Sequence, residues 1–485
     1  MSLLKLSNQS WSSQTVFIMA AVGSAVGLGN IWKFPYIAGD NGGGAFVLVY
    51  LACIVIIGLP ILLSEIALGR SGQANPVQAM ANMAHESKAS KLWAGLGFNG
   101  VLAGLLILSF YTVIAGLAVA YFFSSLQGIF VDIDSTQAQE LFSDTVANPW
   151  TLVFWHSLVV VFTILIVSKG VRSGLEKAIN FMMPGLLIIL LVLLGYATTT
   201  GSFDQSVRFM FEPDFSKLSW EAVLVAMGHA FFTLSIGLGT MMAYGAYVGK
   251  EMSIAKASVW IVVMDTLIAV LAGLIIFSIV FANQLEPGAG PGLLFQTLPI
   301  AFGQMSGGWF FGTLFFLLVV MAALSSAISL IEPAVSWFEQ NWGLTRVKSA
   351  WLLGGFAWFV GLGTVLSFNY WETIYIYGFG ERNVFGALDF LTSSIMLPLG
   401  GLMIGVFVAW TMRPDLKAEQ IDLKGILLYL FNFSLRYVTP FAIILVFAYN
   451  LSEDYTWPIM LVGVMIYGLY VFNCLKRAGK LKKIS

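Results

Sequence analysis

The stretch AAVGSAVGLGNIWKFPY occupies Ala20–Tyr36, inside an apolar run long enough to cross a bilayer as helix. It carries Gly23, Gly27 and Gly29 together with Asn30, Lys33 and Pro35. Each mid-helix glycine costs about 1 kcal/mol relative to alanine, so this cluster predicts an interrupted helix over Gly23–Asn30. A second stretch repeats the pattern. HAFFTLSIGLGTMMAY, His229–Tyr244, places Thr233 and Ser235 just before Gly237 and Gly239. Both contain Gly-Leu-Gly. One glycine pair alone reads as close helix packing. Two breaks in corresponding positions of two halves point instead to a midplane binding site of a transporter. An unwound turn there frees carbonyls for cations and exposes amides for anions.

Composition sets the class. The 485 residues are 58% hydrophobic and 10% charged, too few charges to coat a soluble protein of this size. A formal net charge of −1 argues against a nucleic-acid partner. Cys53 and Cys474 lie in apolar segments, so neither a disulfide framework nor a cysteine metal site is expected. The three histidines, His85, His156 and His229, form no HExxH pattern. Polar Met1–Thr15 does not read as a signal peptide.

A crossing helix needs about 20 apolar residues. Twelve candidates follow, at roughly 14–37, 43–69, 94–125, 150–168, 175–199, 220–247, 255–283, 308–338, 349–368, 384–411, 424–449 and 457–475. Backbone groups in lipid must be satisfied internally, so all-α is the expectation; the short alternating segments of a barrel are absent. With the N-terminus inside, 19 of the 24 Lys and Arg fall on inner segments, with Arg208, Lys217 and Arg382 outside. That bias places both termini in the cytoplasm. No low-complexity linker divides the chain, which reads as one membrane domain, 1–485.

Five segments then carry a resemblance: GSAVGLGNIWKFPY (Gly23–Tyr36), NGGGAFVLVY (Asn41–Tyr50), EIALGR (Glu65–Arg70), FFTLSIGLG (Phe231–Gly239) and ALSSAISLIEP (Ala323–Pro333). In this order they resemble the neurotransmitter:sodium symporter family, its bacterial amino-acid branch most of all. The resemblance implies a polytopic all-α membrane protein of 12 helices. Its five-plus-five inverted repeat would span about 14–199 and 220–411, with two further helices at about 424–475. Helices 1 and 6 would be unwound.

The resemblance also implies two sodium sites. The Ala25 carbonyl, Asn30, Thr233 and Asp265 match the first, completed by the substrate carboxylate. Carbonyls of Gly23, Val26 and Ala322 with hydroxyls of Ser325 and Ser326 match the second. All-oxygen shells suit a hard cation. Animal relatives use chloride near the first site, whereas chloride-independent bacterial relatives supply a carboxylate, often one turn later in span seven. That later position is Ala269, so Asp265 is expected to supply the charge and transport to need no chloride. Tyr50 matches a chloride-site residue; His229 replaces the usual Gln.

Gly27 stands where monoamine carriers place Asp, which favours an α-amino acid. Its carboxylate would meet the amides of Leu28 and Gly29, in keeping with anion binding at helix N-termini, and the Tyr111 hydroxyl. Its amine would meet carbonyls of Ala25, Phe232 and Ser235. Ile107, Tyr111, Phe232, Ser235, Leu238, Ser326 and Leu330 would line an apolar side-chain pocket, favouring a neutral hydrophobic or aromatic amino acid. Lys33 and Asp389 match the outer charged gate, where Arg is usual, with Phe232 and Tyr111 as the lid beneath. Glu65 matches a support for the unwound part of span six. Trp11 and Tyr247 match inner-gate residues, but the usual N-terminal Arg and span-eight Asp read Asn8 and Gln340, with Lys5 and Glu339 nearby. Gly174 and Pro184 match a spacing that lets span five unwind. The expected protein is a sodium-coupled symporter of the bacterial inner membrane. A gated channel is the alternative class; no catalytic constellation supports an enzyme.

Overall fold

Apolar length and polar caps place the helices. The computed structural model describes residues 10–287, 292–451 and 456–481, and every regular element among them is helical. Lys5 and Asn8 lie outside the described residues. Ser13 accepts from the Val16 amide and starts α1, Gln14–Ala25. After a short break come α2, Gly29–Asp40, and α3, Gly44–Gly72. The chain continues through α4 (Lys91–Leu126), α5 (Pro149–Val167) and α6 (Val171–Ala197). Then α7, Trp220–Thr233, begins at the Ser219 cap, and α8, Thr240–Ala246, follows a second break. The rest are α9 (Ile254–Ala282), α10 (Gly308–Trp342), α11 (Arg346–Ser367), α12 (Val384–Thr411), α13 (Gly425–Leu451) and α14 (Pro458–Lys476). Ser253 and Thr345 cap α9 and α11, each accepting a backbone amide from three residues on. These caps satisfy donors that a helix N-terminus leaves free.

Ten of these helices are long and apolar enough to cross a membrane, and α1 with α2 form an eleventh, bent by 54°. Helices α7 and α8 have 14 and seven residues, each too short to cross alone. The first break is narrower than its glycines suggest. Regular helix persists through Gly23 to Ala25, and α2 opens with a wide turn over Gly29–Lys33. Gly174 likewise sits in a wide helical turn over Val171–Glu176, and Pro184 lies inside regular helix. Span five is thus helical along its whole length in this structure.

Burial orders the layers. The most apolar stretch of α4 is 89% buried and that of α10 72%, against 6% for α14. Helices α4 and α10 are therefore the centre, and α14 is peripheral. Close backbone approach makes this centre possible. A Cβ on Gly104 would lie 2.8 Å from the Leu330 carbonyl oxygen, and one on Gly100 2.8 Å from the Gly239 nitrogen. Helix α4 thus rests directly on the second break.

That second break demands unusual backbone. Ser235, Gly237 and Gly239 have φ of 53°, 83° and 71°, the left-handed region. A Cβ on Gly237 would also lie 2.6 Å from the Leu397 carbonyl oxygen of α12. Gly237→Ala is expected to lower folding stability by about 1–3 kcal/mol through strain and overlap. Gly228→Ala, on regular α7 with open space beside it, should be neutral or stabilise by about 1 kcal/mol. Melting both variants in one detergent checks the pair; equal shifts would refute the account of this break.

Candidate functional site

The two breaks meet. The Ser235 hydroxyl, in the second, donates to the Ser24 carbonyl at the end of α1 at 3.2 Å. Ser326 of α10 donates to the Val26 carbonyl at 3.2 Å and lies 3.4 Å from the Ser24 carbonyl. The freed amides find partners as well. Gly27 donates to Asn30 Oδ1 at 3.2 Å, and Leu28 donates to the Tyr111 hydroxyl at 3.3 Å. Backbone groups released by the missing turn are thus taken up by side chains from α4, α7–α8 and α10, as the absence of water at this depth requires. On the far side, Glu65 of α3 accepts from the Gly237 amide at 3.1 Å.

Between the breaks lies a narrow cavity lined by Ser24, Ala25, Gly27, Leu28, Gly29, Ile107, Tyr111, Phe232, Ser235, Leu238, Ser326, Leu330 and Leu397. Of the expected substrate residues, Thr233 is the one that does not line it. Gly27 has a steric reason to lack a side chain: a Cβ there would lie 2.5 Å from Ser326 Oγ and 2.9 Å from the Tyr111 hydroxyl. Its lining combines a polar group, the Leu28 amide with the Tyr111 and Ser326 hydroxyls, with the apolar side chains of Ile107, Leu238, Leu330 and Leu397.

Beside the cavity, three segments bring oxygen donors together. Asn30 Nδ2 donates to Asp265 Oδ1 at 2.8 Å and to the Asp265 carbonyl at 3.1 Å. Thr233 Oγ1 donates to Asp265 Oδ2 at 3.0 Å. All three are buried, Asp265 completely. No Lys or Arg lies within ion-pair distance of Asp265 among the described residues. A buried carboxylate held only by neutral donors is poised to take up a cation. The second expected group is also assembled: Ser325 donates to the Ala322 carbonyl at 2.9 Å, near Ser326 and Val26. A Cβ on Gly23 would lie 3.7 Å from the Ser325 Cβ, so α1 passes close by. Clusters of three or more His, Cys, Asp or Glu are absent among the described residues.

His229 stacks on Phe34, ring centroids 6.0 Å apart, and lies 5.4 Å from the Tyr50 ring. Both its ring nitrogens are buried without hydrogen-bond partners.

At the outer end, Lys33 and Asp389 are not within ion-pair distance. Lys33 Nζ instead sits 4.5 Å from the Phe232 ring centroid, and Asp389 accepts from Ser393 at 2.9 Å. A compact ammonium is satisfied by an aromatic face in a way that needs no carboxylate fork. At the opposite end, Trp11 donates to the Tyr244 carbonyl through its indole at 3.0 Å and to the Tyr247 carbonyl through its amide at 3.2 Å.

There the structure also shows a polar cluster that sequence reading did not assign. Glu332 of α10 is fully buried and ion-paired to Arg346 at the start of α11. Tyr247 donates to Glu332 Oε1 at 3.1 Å, and Arg346 also reaches Glu339 at 3.5 Å and the Val167 carbonyl at 2.8 Å. Gln340 takes no part; it accepts from the Asn75 amide at 2.8 Å. A signal existed. Glu332 is a carboxylate within a span, which is a functional candidate by default. Leu397 gave no comparable signal, being one more apolar residue in an apolar span.

With this geometry in hand, the chain can be set beside known proteins. The profile of the sodium:neurotransmitter symporter family matches residues 8–131 and 130–467. An uncharacterized sodium-dependent transporter, YhdH of Bacillus subtilis (strain 168), is 35% identical over 90% of this chain and 96% of its own length. An uncharacterized sodium-dependent transporter of Haemophilus influenzae is 31% identical over 90% of this chain and 97% of its own. The crystal structure of MhsT in complex with L-phenylalanine superposes with a TM-score of 0.84 at 40% identity, covering 91% of this chain and 99% of that one. A membrane-embedded all-helical chain with two facing helix breaks, matched along nearly its whole length, belongs to the sodium:neurotransmitter symporter family, whose members are sodium-dependent transporters.

Proposed function

We propose that this transporter carries a neutral, hydrophobic or aromatic α-amino acid together with two sodium ions, by alternating access and without chloride. The observation that supports it most is the Asn30–Thr233–Asp265 cluster abutting the cavity between the breaks. An ion held by those oxygens sits where a substrate carboxylate, drawn to the Leu28 and Gly29 amides and the Tyr111 hydroxyl, completes its shell. Each then needs the other, which is coupling in physical terms. Turning the Asn30 amide over presents its oxygen to the ion. The Asp265 charge offsets that of the sodium, so no anion from solution is needed. Ser325, Ser326 and the Gly23, Val26 and Ala322 carbonyls hold the second ion against α1. The apolar part of the cavity lining takes the side chain; the neighbouring MhsT was crystallised in complex with L-phenylalanine, an amino acid of that class.

Access alternates by opening one end while the other stays shut. Phe232 and Tyr111, with Lys33 over the Phe232 face, close the outer end. Trp11, Tyr247 and the Glu332–Arg346 pair close the inner one, and Gly174 and Pro184 are the positions where span five would loosen. We read α7 and α8 as one interrupted crossing. That gives twelve crossings, two five-helix repeats, and both termini in the cytoplasm of a bacterial inner membrane, as the distribution of Lys and Arg favours.

Amino-acid binding to the purified protein should require sodium, and radiolabelled uptake should be unchanged when chloride is replaced by gluconate. Thr233→Ala is expected to raise the sodium needed for half-maximal binding about tenfold, the loss of one charge-assisted contact. Asp265→Asn should raise it further and make uptake depend on chloride; sodium titrations unaltered in both variants would sink the ion assignment. Gly27→Ala should abolish binding, because its methyl would push Ser326 Oγ and the Tyr111 hydroxyl off the Val26 carbonyl and the Leu28 amide at the cavity wall; retained affinity for L-phenylalanine would argue that the cavity is not the site. Glu332→Gln takes the forked partner from buried Arg346 and leaves it Glu339 at 3.5 Å, so the loss should approach the roughly 3–5 kcal/mol of a broken buried pair without exceeding it. If the pair is an inner closure, a cysteine placed at Ser329 will label faster from the cytoplasmic side in that variant. Unchanged labelling with lowered stability would mark it as structural only.

A further inference from the structure

Arg436 lies within α13, and its guanidinium sits 5.0 Å over the Trp410 ring near the end of α12. Its Nε is buried without a hydrogen-bond partner. Lys417, on the short helix Pro414–Gln420 between α12 and α13, donates to Asn432 at 2.7 Å. Burial, and then the nearby Arg436 charge, pushes the Lys417 ammonium down to about 8. Among the described residues, no carboxylate stands within ion-pair distance of either cation. Arg346 and Arg413, by contrast, are ion-paired, the first to Glu332 and Glu339 and the second to Asp415. Two half-buried cations that repel one another, with unused donors and no protein anion, form a site for an anion from elsewhere.

The surroundings say which. Trp410 donates to the Tyr467 hydroxyl at 2.8 Å, and Tyr467 donates to the Arg436 carbonyl at 2.5 Å. These rings tie the last turn of α12 to the middle of α13 and of α14, and Trp410 stands at the end of its crossing, where aromatic belts meet the membrane–water boundary. The flank of α13 beside them is apolar and exposed at Tyr429, Leu430, Phe433 and Tyr437. We propose that Arg436 and Lys417 bind the phosphate of an anionic phospholipid headgroup, whose acyl chains run along this flank of α13. The planar fork of Arg436 suits two phosphate oxygens, and basic pockets between helices on the cytoplasmic side favour such headgroups. This site depends on the membrane placement of the chain and not on which substrate it carries.

Native mass spectrometry of the full chain tests it, with dioleoylphosphatidylglycerol and dioleoylphosphatidylcholine as probes. The wild type should retain phosphatidylglycerol in preference to phosphatidylcholine. Arg436→Gln and Lys417→Gln should each weaken retention about fivefold, the contribution of one cation near a charged headgroup. Lys417→Gln lies outside the crossings, so it keeps the test sound if Arg436→Gln does not fold. Vesicles containing phosphatidylglycerol should raise the melting temperature of the wild type more than that of either variant. Equal retention in all three proteins, or no preference over phosphatidylcholine, overturns the proposal. Stabilisation by inorganic phosphate alone, with none added by the lipid, overturns it in favour of a free-anion site.

Discussion

A peptide group in hydrocarbon must be hydrogen-bonded within the protein, and the architecture turns on how this chain breaks two helices without violating that demand. Each break is repaired by side chains, all but Asn30 from outside its own span. Ser235 and Ser326 take the Ser24 and Val26 carbonyls, Tyr111 and Asn30 take the Leu28 and Gly27 amides, and Glu65 takes the Gly237 amide. The helices that repair the breaks are thereby drawn to one place, and the cavity is the space left among them. Polar groups aimed at that space are the same ones that hold it together. On the proposed function, a sodium ion or zwitterion entering there would exchange partners rather than uncover bare backbone.

The same economy appears at the two ends, with different strength. The outer closure rests on aromatic packing and one cation over a ring, contacts that contribute about 0.5–1 kcal/mol each at exposed sites. The inner closure contains a buried, forked ion pair with a tyrosine hydroxyl added to it. Separating such a pair in a dry environment is costly. Under the proposed alternating access, this asymmetry would favour a state open to the outside until substrate and ions bind.

Much of this was legible in the residues, for reasons that can be named. The crossings were, because a bilayer imposes a length on apolar runs, and caps such as Ser219 and Ser253 stand where polarity changes. Both breaks were, because glycines inside an apolar run conflict with helix propensity. Their extent was not: the first helix runs through Gly23, since packing against Met183 and Ser325 outweighs one glycine's weak propensity. The expected Lys33–Asp389 pair came from the family resemblance, where Arg is usual, whereas the aromatic face of Phe232 takes the ammonium here. Glu332 and Arg346 were visible as residues but not as partners, because the family pattern places the inner-gate cation near the N-terminus and not at the start of α11.

Sequence by itself determined an all-helical membrane chain with two interrupted segments, and the set of oxygen-bearing residues at them. Hydrophobic length and backbone propensity are local properties, so they can be read locally. Tertiary structure alone decided which of those residues face one another: that Asp265 meets Asn30 and Thr233, that Leu397 joins the cavity lining, and that Arg346 turns toward Glu332 while Arg436, among the described residues, finds no carboxylate. Such facts depend on how helices cross, and crossing is set by side-chain shape between segments far apart in the chain.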